Sequence, residues 1–405
     1  MQLNSWPVFS NEEIQKVSQI LLSGKVNYWT GFEGKNFENE FAKYTDSKYG
    51  IVMANGSLAL ESAYKSIGLT SGDEIITTPR TFIATSSSAV LLGAKPVFAD
   101  VDLNSGCISI ETIEPLISSK TKAISVVHLG GWPAEIEQIC RIAKEHDLFV
   151  IEDCSQAHGA KIKSNDGWKS VGSFGDVATW SFCQDKIMTT GGEGGFVSTS
   201  NLRIRDICWS LKDHGKTLNA IKAQQNKVGF KWLHDEIGSN YRLSEIQSAI
   251  GRIQLKKLEE WNKIRSFNAE ILQSNLQNLD IIRFILQSNL QNLDIIRLPV
   301  IDQKIRHAWY KFYCYLNLQA LSSQWDRNRI IKTINEQGFP AFSGSCSEIY
   351  LEKCFKKINK NYSRLKNARE LGETSLMLLV HPSISEEQMI NYSEVVKNVL
   401  IQATK

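Results

Sequence analysis

The stretch AISVVHLGGWPAEIEQICRIAKEHDLFVIE, Ala123–Glu152, decides the fold. It opens on a short apolar, β-branched run, Ala123–Val127, and passes Gly130-Gly131 into Ala134–His146, where apolar positions recur at i, i+3 and i+4. It closes on a second buried-type run, Leu148–Glu152. A helical period between two apolar runs is a βαβ unit, whose strands run parallel because the helix carries the chain back. The pattern continues on both sides: Ile75–Thr78, Pro96–Asp100, Val177–Phe182 and Gly195–Thr199 have strand length, and Ser57–Ile67 is another amphipathic segment. Spacings of roughly 25 residues between strands predict an α/β fold with a mostly parallel sheet covered on both faces. In such sheets ligands sit beyond the carboxyl ends of the strands.

Length and composition agree with this reading. A chain of 405 residues with 42% hydrophobic and 22% charged residues buries a substantial core, and is neither disordered nor a coiled coil. Its 46 Lys+Arg against 43 Asp+Glu leave a net +3 with no basic stripe, so nucleic acid is not an expected partner. The eight cysteines show no C-x-x-C pair and no metal-cage spacing, and read as reduced intracellular thiols. MQLNSWPVFSNEEIQ lacks the basic and apolar regions of a secretory signal, and no run approaches a membrane span. The expectation is a soluble, cytoplasmic protein.

Beyond Arg242 a long helical pattern, LSEIQSAIGRIQLKKLEEWNKIRSFNAEIL, is expected to bridge two domains, with Glu259 and Lys263 paired at i,i+4. The expected division is a large domain with an N-terminal arm over 1–250, a bridge over 251–300, and a smaller α+β domain over 301–405 containing a strand in HAWYKFYCYLN. Inside the bridge ILQSNLQNLDIIR occurs twice, at Ile271–Arg283 and Ile285–Arg297, a tandem duplication of period 14. It reads as an insertion without chemistry of its own, with Ile281, Ile282 and Phe284 poorly covered.

The segment richest in chemistry is TWSFCQDKIMTTGGEGGFVST, Thr179–Thr199. Lys186 follows a strand and precedes a glycine-rich turn, at the sheet edge where ligands bind; lysine forms Schiff bases with carbonyl compounds when its site lowers its pKa. The plain alternative is a solvated lysine before a hairpin. Asp153 ends a strand, where it either caps a helix or pairs with a protonated ring nitrogen, as a carboxylate does for pyridoxal 5′-phosphate (PLP). Gln156, three residues on, can reach the same ligand. Gly56 and Ser57 open a helix whose N–H groups make a phosphate site, although Ser57 can equally be the N-cap. Ser181 can add a hydroxyl to that phosphate, and Phe82 either stacks on an aromatic cofactor or joins the core.

Taken in order, NGSLAL, TPRTFIAT, VVHLGGWPAEI, VIEDCSQAHGA, GDVATWSF, Lys186 with GGEGG, and SNYRLSEIQSAIGRIQLKKL resemble the DegT/DnrJ/EryC1/StrS family of PLP-dependent sugar aminotransferases over about residues 10–400. The resemblance implies the fold-type-I PLP-dependent transferase fold, with a mostly parallel seven-stranded sheet in the large domain and a homodimer with shared active sites. It implies that Lys186 carries the PLP and shuttles protons, and that Asp153 pairs with the ring nitrogen. Gln156 and Phe82 would contact the ring, Gly56, Ser57 and Ser181 would hold the phosphate, and Asn240 would reach the neighbouring subunit's phosphate. The implied substrates are a nucleotide-linked keto deoxy sugar and an amino-acid donor, L-glutamate first. Departures from the family pattern are Cys183-Gln184-Asp185 before the lysine, Arg80, and Gly344–Tyr350 (GSCSEIY).

Other classes lack their motifs. No G-x-G-x-x-G, H-E-x-x-H or G-x-S-x-G occurs, and Gly215-Lys216-Thr217 has Ser210 where a P-loop needs glycine. The remaining alternatives are a non-catalytic regulator or sensor on a PLP fold and a PLP-dependent sugar dehydratase. Lys186 opposes the latter, since those relatives carry histidine there.

Overall fold

The computed structural model describes residues 3–226, 228–277, 295–358 and 362–404. The first sheet is built from β1 (Tyr49–Met53), β2 (Glu74–Thr77), β3 (Lys95–Phe98), β4 (Thr121–Val127), β5 (Phe149–Asp153), β8 (Val177–Ser181) and β9 (Gly195–Thr199). A polar hairpin, β6 (Lys161–Ser164) and β7 (Gly167–Ser170), lies between β5 and β8 in the chain. Six of these strands match the expected runs closely. Strand β1 and the hairpin are additions to that set, the hairpin because KIKS and GWKS carry no buried face.

Seven strands in the order β1-β9-β8-β5-β4-β2-β3 make the sheet, with β2, β3, β4, β5 and β8 parallel. Strand β9 is antiparallel to both β8 and β1, so β1 runs with the parallel set. The carboxyl ends of β1, β2, β4, β5 and β8 therefore share one edge, which gathers the segments after Met53, Thr77, Val127, Asp153 and Ser181. Helices Gly56–Ser66 and Ile136–Glu145 supply the crossovers, and the second buries Ile136, Ile139, Ile142 and Ala143 on one stripe.

A second, antiparallel sheet, β10-β12-β14-β13, is formed by Ile296–Arg297 (β10), Phe312–Leu316 (β12), Ala341–Phe342 (β13) and Ser375–Leu378 (β14). Strand β11 (Ile305–Arg306) instead returns to pair with β6. Only Phe312–Leu316 of HAWYKFYCYLN is strand, which frees Tyr310 and Lys311 for the site. The helix Glu245–Gln277 packs on both sheets' cores: Leu258 lies in a core with Phe37 and Trp180, whereas Leu272 and Leu276 pack with Phe312 and Leu378. The expected Glu259–Lys263 pair does not form. Glu259 turns to Tyr44 (3.2 Å), Lys161 (3.8 Å) and Arg306 (3.7 Å), and Lys263 faces Glu260 at 3.7 Å. Neighbouring elements offered Glu259 a more enclosed set of partners than its own helix surface. Among the described residues no helix is long and apolar enough to cross a membrane.

The duplication straddles the described boundary. The first copy's ILQSNLQ (271–277) ends the long helix, and the second copy's Ile295, Ile296 and Arg297 lead into β10, with both isoleucines buried. The expectation for Ile281, Ile282 and Phe284 lies outside the described residues. Deleting 271–284 places an identical ILQSNLQ at the helix end and leaves Asn-Leu-Asp before Ile295. Every contact described for 271–277 is then made by the same residue types. Since shortening a connection changes closure entropy by only about 0.6 kcal/mol per halving, the deletion is expected to retain activity and to keep or raise the melting temperature. Loss of folding in thermal denaturation would show the added copy to be an integral element.

Candidate active site

The expected site residues occupy the shared edge. Strand β8 is buried at every position and ends at Ser181. The chain then folds back through Lys186 to β9, pinned by Phe182 N–H to Gly194 O (2.8 Å) and Gln184 N–H to Gly192 O (2.9 Å). Gly191 and Gly192 sit at φ 90° and 126°, a region open to glycine, which is why the turn is written GGEGG. Trp6 of the N-terminal arm donates its indole N–H to the Lys186 carbonyl at 2.9 Å.

Lys186 is not a solvated lysine. Its side chain is 16% exposed, and Nζ lies 3.0 Å from Asp185 Oδ1 and 3.4 Å from the Tyr310 hydroxyl. Tyr310 donates to the other Asp185 oxygen. Partial burial opposes the Asp185 charge, but Lys186 and the Tyr310 hydroxyl outweigh it and hold the carboxyl below its usual range. Burial pushes the Tyr310 hydroxyl well up, so it remains a donor.

Asp153 ends β5 with its side chain buried. A turn rather than a helix follows, which rules out the helix-cap role. Its Oδ2 accepts from Thr85 Oγ1 (2.8 Å), itself 3.0 Å from Thr81 Oγ1, and its Oδ1 accepts from the Ser155 N–H (3.1 Å). No cation lies within salt-bridge distance of this carboxylate among the described residues. Gln156 Oε1 accepts from the Gly130 N–H after β4, at 2.7 Å. Beneath this turn His128, Glu152 and Cys154 bring ligand-type atoms within 4.8 Å of one another. Their chemistry is that of a brace rather than a metal cage. His128 Nδ1 accepts the Ala134 N–H (3.0 Å), which leaves Nε2–H to donate to Glu152 (3.1 Å), and Glu152 also accepts from Gly172, Phe174 and Gly175. Burial works against ionisation of Glu152, but these donors, His128 foremost, keep its carboxyl below the usual range.

Gly56 starts its helix directly against β8: a Cβ there would stand 2.8 Å from Ser181 Cβ. Asn55, not Ser57, is the N-cap, and its side chain takes the Leu58 N–H at 3.0 Å. Ser57 is exposed two positions beyond that cap, and the first-turn N–H groups of Gly56 and Ser57 face no described partner. Phe82, after β2, is 69% exposed and so is not a core residue. Asn240 is exposed on this chain, in a segment joined to the same edge through Ala54 N–H to Tyr241 O (2.8 Å).

Both departures flagged around Arg80 and Gly344–Tyr350 meet. The buried Arg80 guanidinium binds the Ser347 and Ser375 hydroxyls and lies 5.3 Å from the centre of the Tyr313 ring, tying the turn that carries Thr81 and Phe82 to the second sheet. Tyr310, Thr85 and Gly130 are site neighbours that sequence patterns did not single out, and Asp185 was marked only as a departure from the family pattern. Thr81 and Thr85, spaced i,i+4 in TPRTFIAT, were the one local signal available.

The model of the DegT/DnrJ/EryC1/StrS aminotransferase family matches residues 7–399. The chain belongs to this family. An aminotransferase from Psychrobacter cryohalolentis has a similar structure, with TM-score 0.93 and 43% identity, covering 99% of each chain. GDP-perosamine synthase of Escherichia coli O157:H7 is 32% identical over 96% of this chain and 95% of its own. The UDP-N-acetyl-3-dehydro-alpha-D-glucosamine 3-aminotransferase of Acidithiobacillus ferrooxidans is 30% identical over 91% and 89%. The protein is thus a PLP-dependent aminotransferase of the fold-type-I architecture. The aminotransferase's own geometry fits PLP. A buried carboxylate lacking a cation suits a protonated ring nitrogen, the Gly56–Ser181 contact leaves helix N–H groups beside a hydroxyl for the phosphate, and Lys186 stands at the same edge.

Proposed function

We propose that this aminotransferase moves an amino group from an amino acid, L-glutamate first, onto the keto carbon of a nucleotide-linked deoxy sugar. The observation that carries the reading is the meeting of Lys186, buried Asp153 and the Gly56–Ser57 helix start on one sheet edge, in a chain whose relatives are named for nucleotide-linked amino sugars. PLP, when bound, supplies the aldehyde and the electron sink. Lys186 would hold it covalently and, with Nζ free, would take and return the proton at the donor's α-carbon. Asp185 and Tyr310 hold that Nζ in reach when it is free. Asp153, steadied by Thr85 and Ser155, would keep a proton on the ring nitrogen; Gln156, which fixes the Gly130 turn, and Phe82 would contact the ring. Gly56, Ser57 and Ser181 would hold the phosphate.

Asn240 completes the phosphate site of the partner in a homodimer, its exposure on its own chain being consistent with a target elsewhere. Eight free cysteines support a reducing, cytoplasmic setting. The test is a two-step assay: L-glutamate should convert bound PLP to its amine form, and a panel of keto sugar nucleotides should restore it. A protein that holds PLP but reacts with no amino acid would be a sensor instead. For the shared site, mixing the Lys186→Ala and Asn240→Ala variants should restore activity through hybrid dimers; no recovery after proven subunit exchange would exclude it.

A further inference from the structure

Beside Lys186 opens a cavity of about 420 Å³ lined by Trp6, Asp185, Lys311, Asn335 and His381, among others. Its charges do not balance. Lys186 is paired with Asp185, and Lys311, one residue past Tyr310, has no carboxylate within 4 Å among the described residues. Behind it the fully buried Arg265 guanidinium lies 5.2 Å from the centre of the Trp6 ring and, among the described residues, hydrogen-bonds only the Trp309 and Tyr310 carbonyls, at 3.3 and 3.4 Å, leaving Nε and Nη2 without a hydrogen-bond partner. His381 cannot add or remove charge near neutrality, because burial, with Arg265 and Lys311 nearby, brings it down to about 3. Among the described residues, Lys186, Lys311 and Arg265 thus gather at this end of the cavity, whose lining holds one carboxylate, Asp185. Burying such an excess is unfavourable unless an anion completes it.

We propose that Lys311 binds the α-carboxylate of the amino donor, with Arg265 reinforcing the local positive potential from behind. The proposal rests on the aminotransferase reading and names a determinant of donor binding. The location selects a carboxylate over the diphosphate of a sugar nucleotide. A donor's carboxylate is bonded to the carbon whose proton Lys186 takes, so its cation must stand beside Lys186, as Lys311 does through the shared neighbours Asp185 and Tyr310. The diphosphate is separated from the reacting keto carbon by the sugar ring. Burial, and Arg265 and Lys186 against the opposing pull of Asp185, lower the Lys311 ammonium to about 8, so it is still mostly charged at pH 7.

The PLP-loaded enzyme and its Lys311→Gln and Lys311→Arg variants decide the matter, with PLP loading and thermal unfolding confirming that each folds. For whichever of L-glutamate, L-glutamine, L-aspartate and L-alanine the parent enzyme accepts, Lys311→Gln should raise the half-saturating concentration of the first half-reaction about tenfold or more. Lys311→Arg should recover most of that loss, and the keto-sugar half-reaction should keep its concentration dependence. Calorimetric binding of glutarate, which has carboxylates but no amino group to react, should weaken in parallel. This measurement still judges Lys311 if the parent enzyme accepts no donor and the functional reading fails. Unchanged donor and glutarate dependence would overturn the proposal, as would a defect confined to the keto-sugar half-reaction, which would assign Lys311 to the diphosphate.

Discussion

Replacing Lys186 with alanine is expected to abolish transamination, by at least about 10⁴-fold, while leaving a folded protein that still binds PLP without a covalent link. The size follows from the two tasks given to one nitrogen: covalent catalysis and proton transfer at the α-carbon, of which the second alone is worth about 10²–10⁴-fold. Folding should survive because the side chain sits at the sheet edge, and its loss leaves Asp185 still accepting from Tyr310. Turn residues 182–194 are held by backbone bonds and by Thr189 N–H to Gln254 Oε1 (2.8 Å), none of which involves Nζ. Borohydride treatment should fix PLP onto the parent enzyme and not onto the variant. Turnover at the parent rate would remove Lys186 from the mechanism.

Asp153→Asn should lower the rate by at least about 100-fold at nearly constant shape, the scale of a positioned electrostatic group. The amide oxygen can keep the Ser155 N–H while the amide NH2 donates to the Thr85 hydroxyl, which then donates to Thr81, so the turn after β5 is kept while the charge is lost. Stability offers a second readout with the opposite sign. Without PLP, Asp153 is a buried carboxylate facing no cation among the described residues, an unfavourable arrangement that the neutral amide relieves. The PLP-free variant should therefore melt no lower than the PLP-free parent, whereas the rise in melting temperature on adding PLP should shrink. Unchanged turnover together with an unchanged PLP-induced rise would mean that no ring nitrogen pairs here.

Much of this site was legible in one dimension because strand ends are. Local periodicity marked β5 and β8, and in a parallel sheet the residue that ends a strand is already at the ligand edge, which placed Asp153, Ser181 and Lys186 there; their expected roles came from the family resemblance. The same locality explains the glycine turn, whose backbone angles only glycine adopts readily. What the sequence determined by itself was therefore six strands of the large sheet, their helical crossovers and the residue types at their ends, while β1 and the β6–β7 hairpin were left to the structure. The tertiary structure alone decided which of two local readings held: Asp153 bonds Thr85 across 68 residues rather than capping a helix, and Asn55 rather than Ser57 caps the helix Gly56–Ser66. It also paired residues that share no local pattern. Tyr310 reaches Asp185 across 125 residues, Arg80 reaches Ser347 across 267, and Glu259 leaves Lys263 for partners on other elements. Those contacts depend on strand order and on how the second sheet packs against the first, and a pattern of hydrophobic periods records neither.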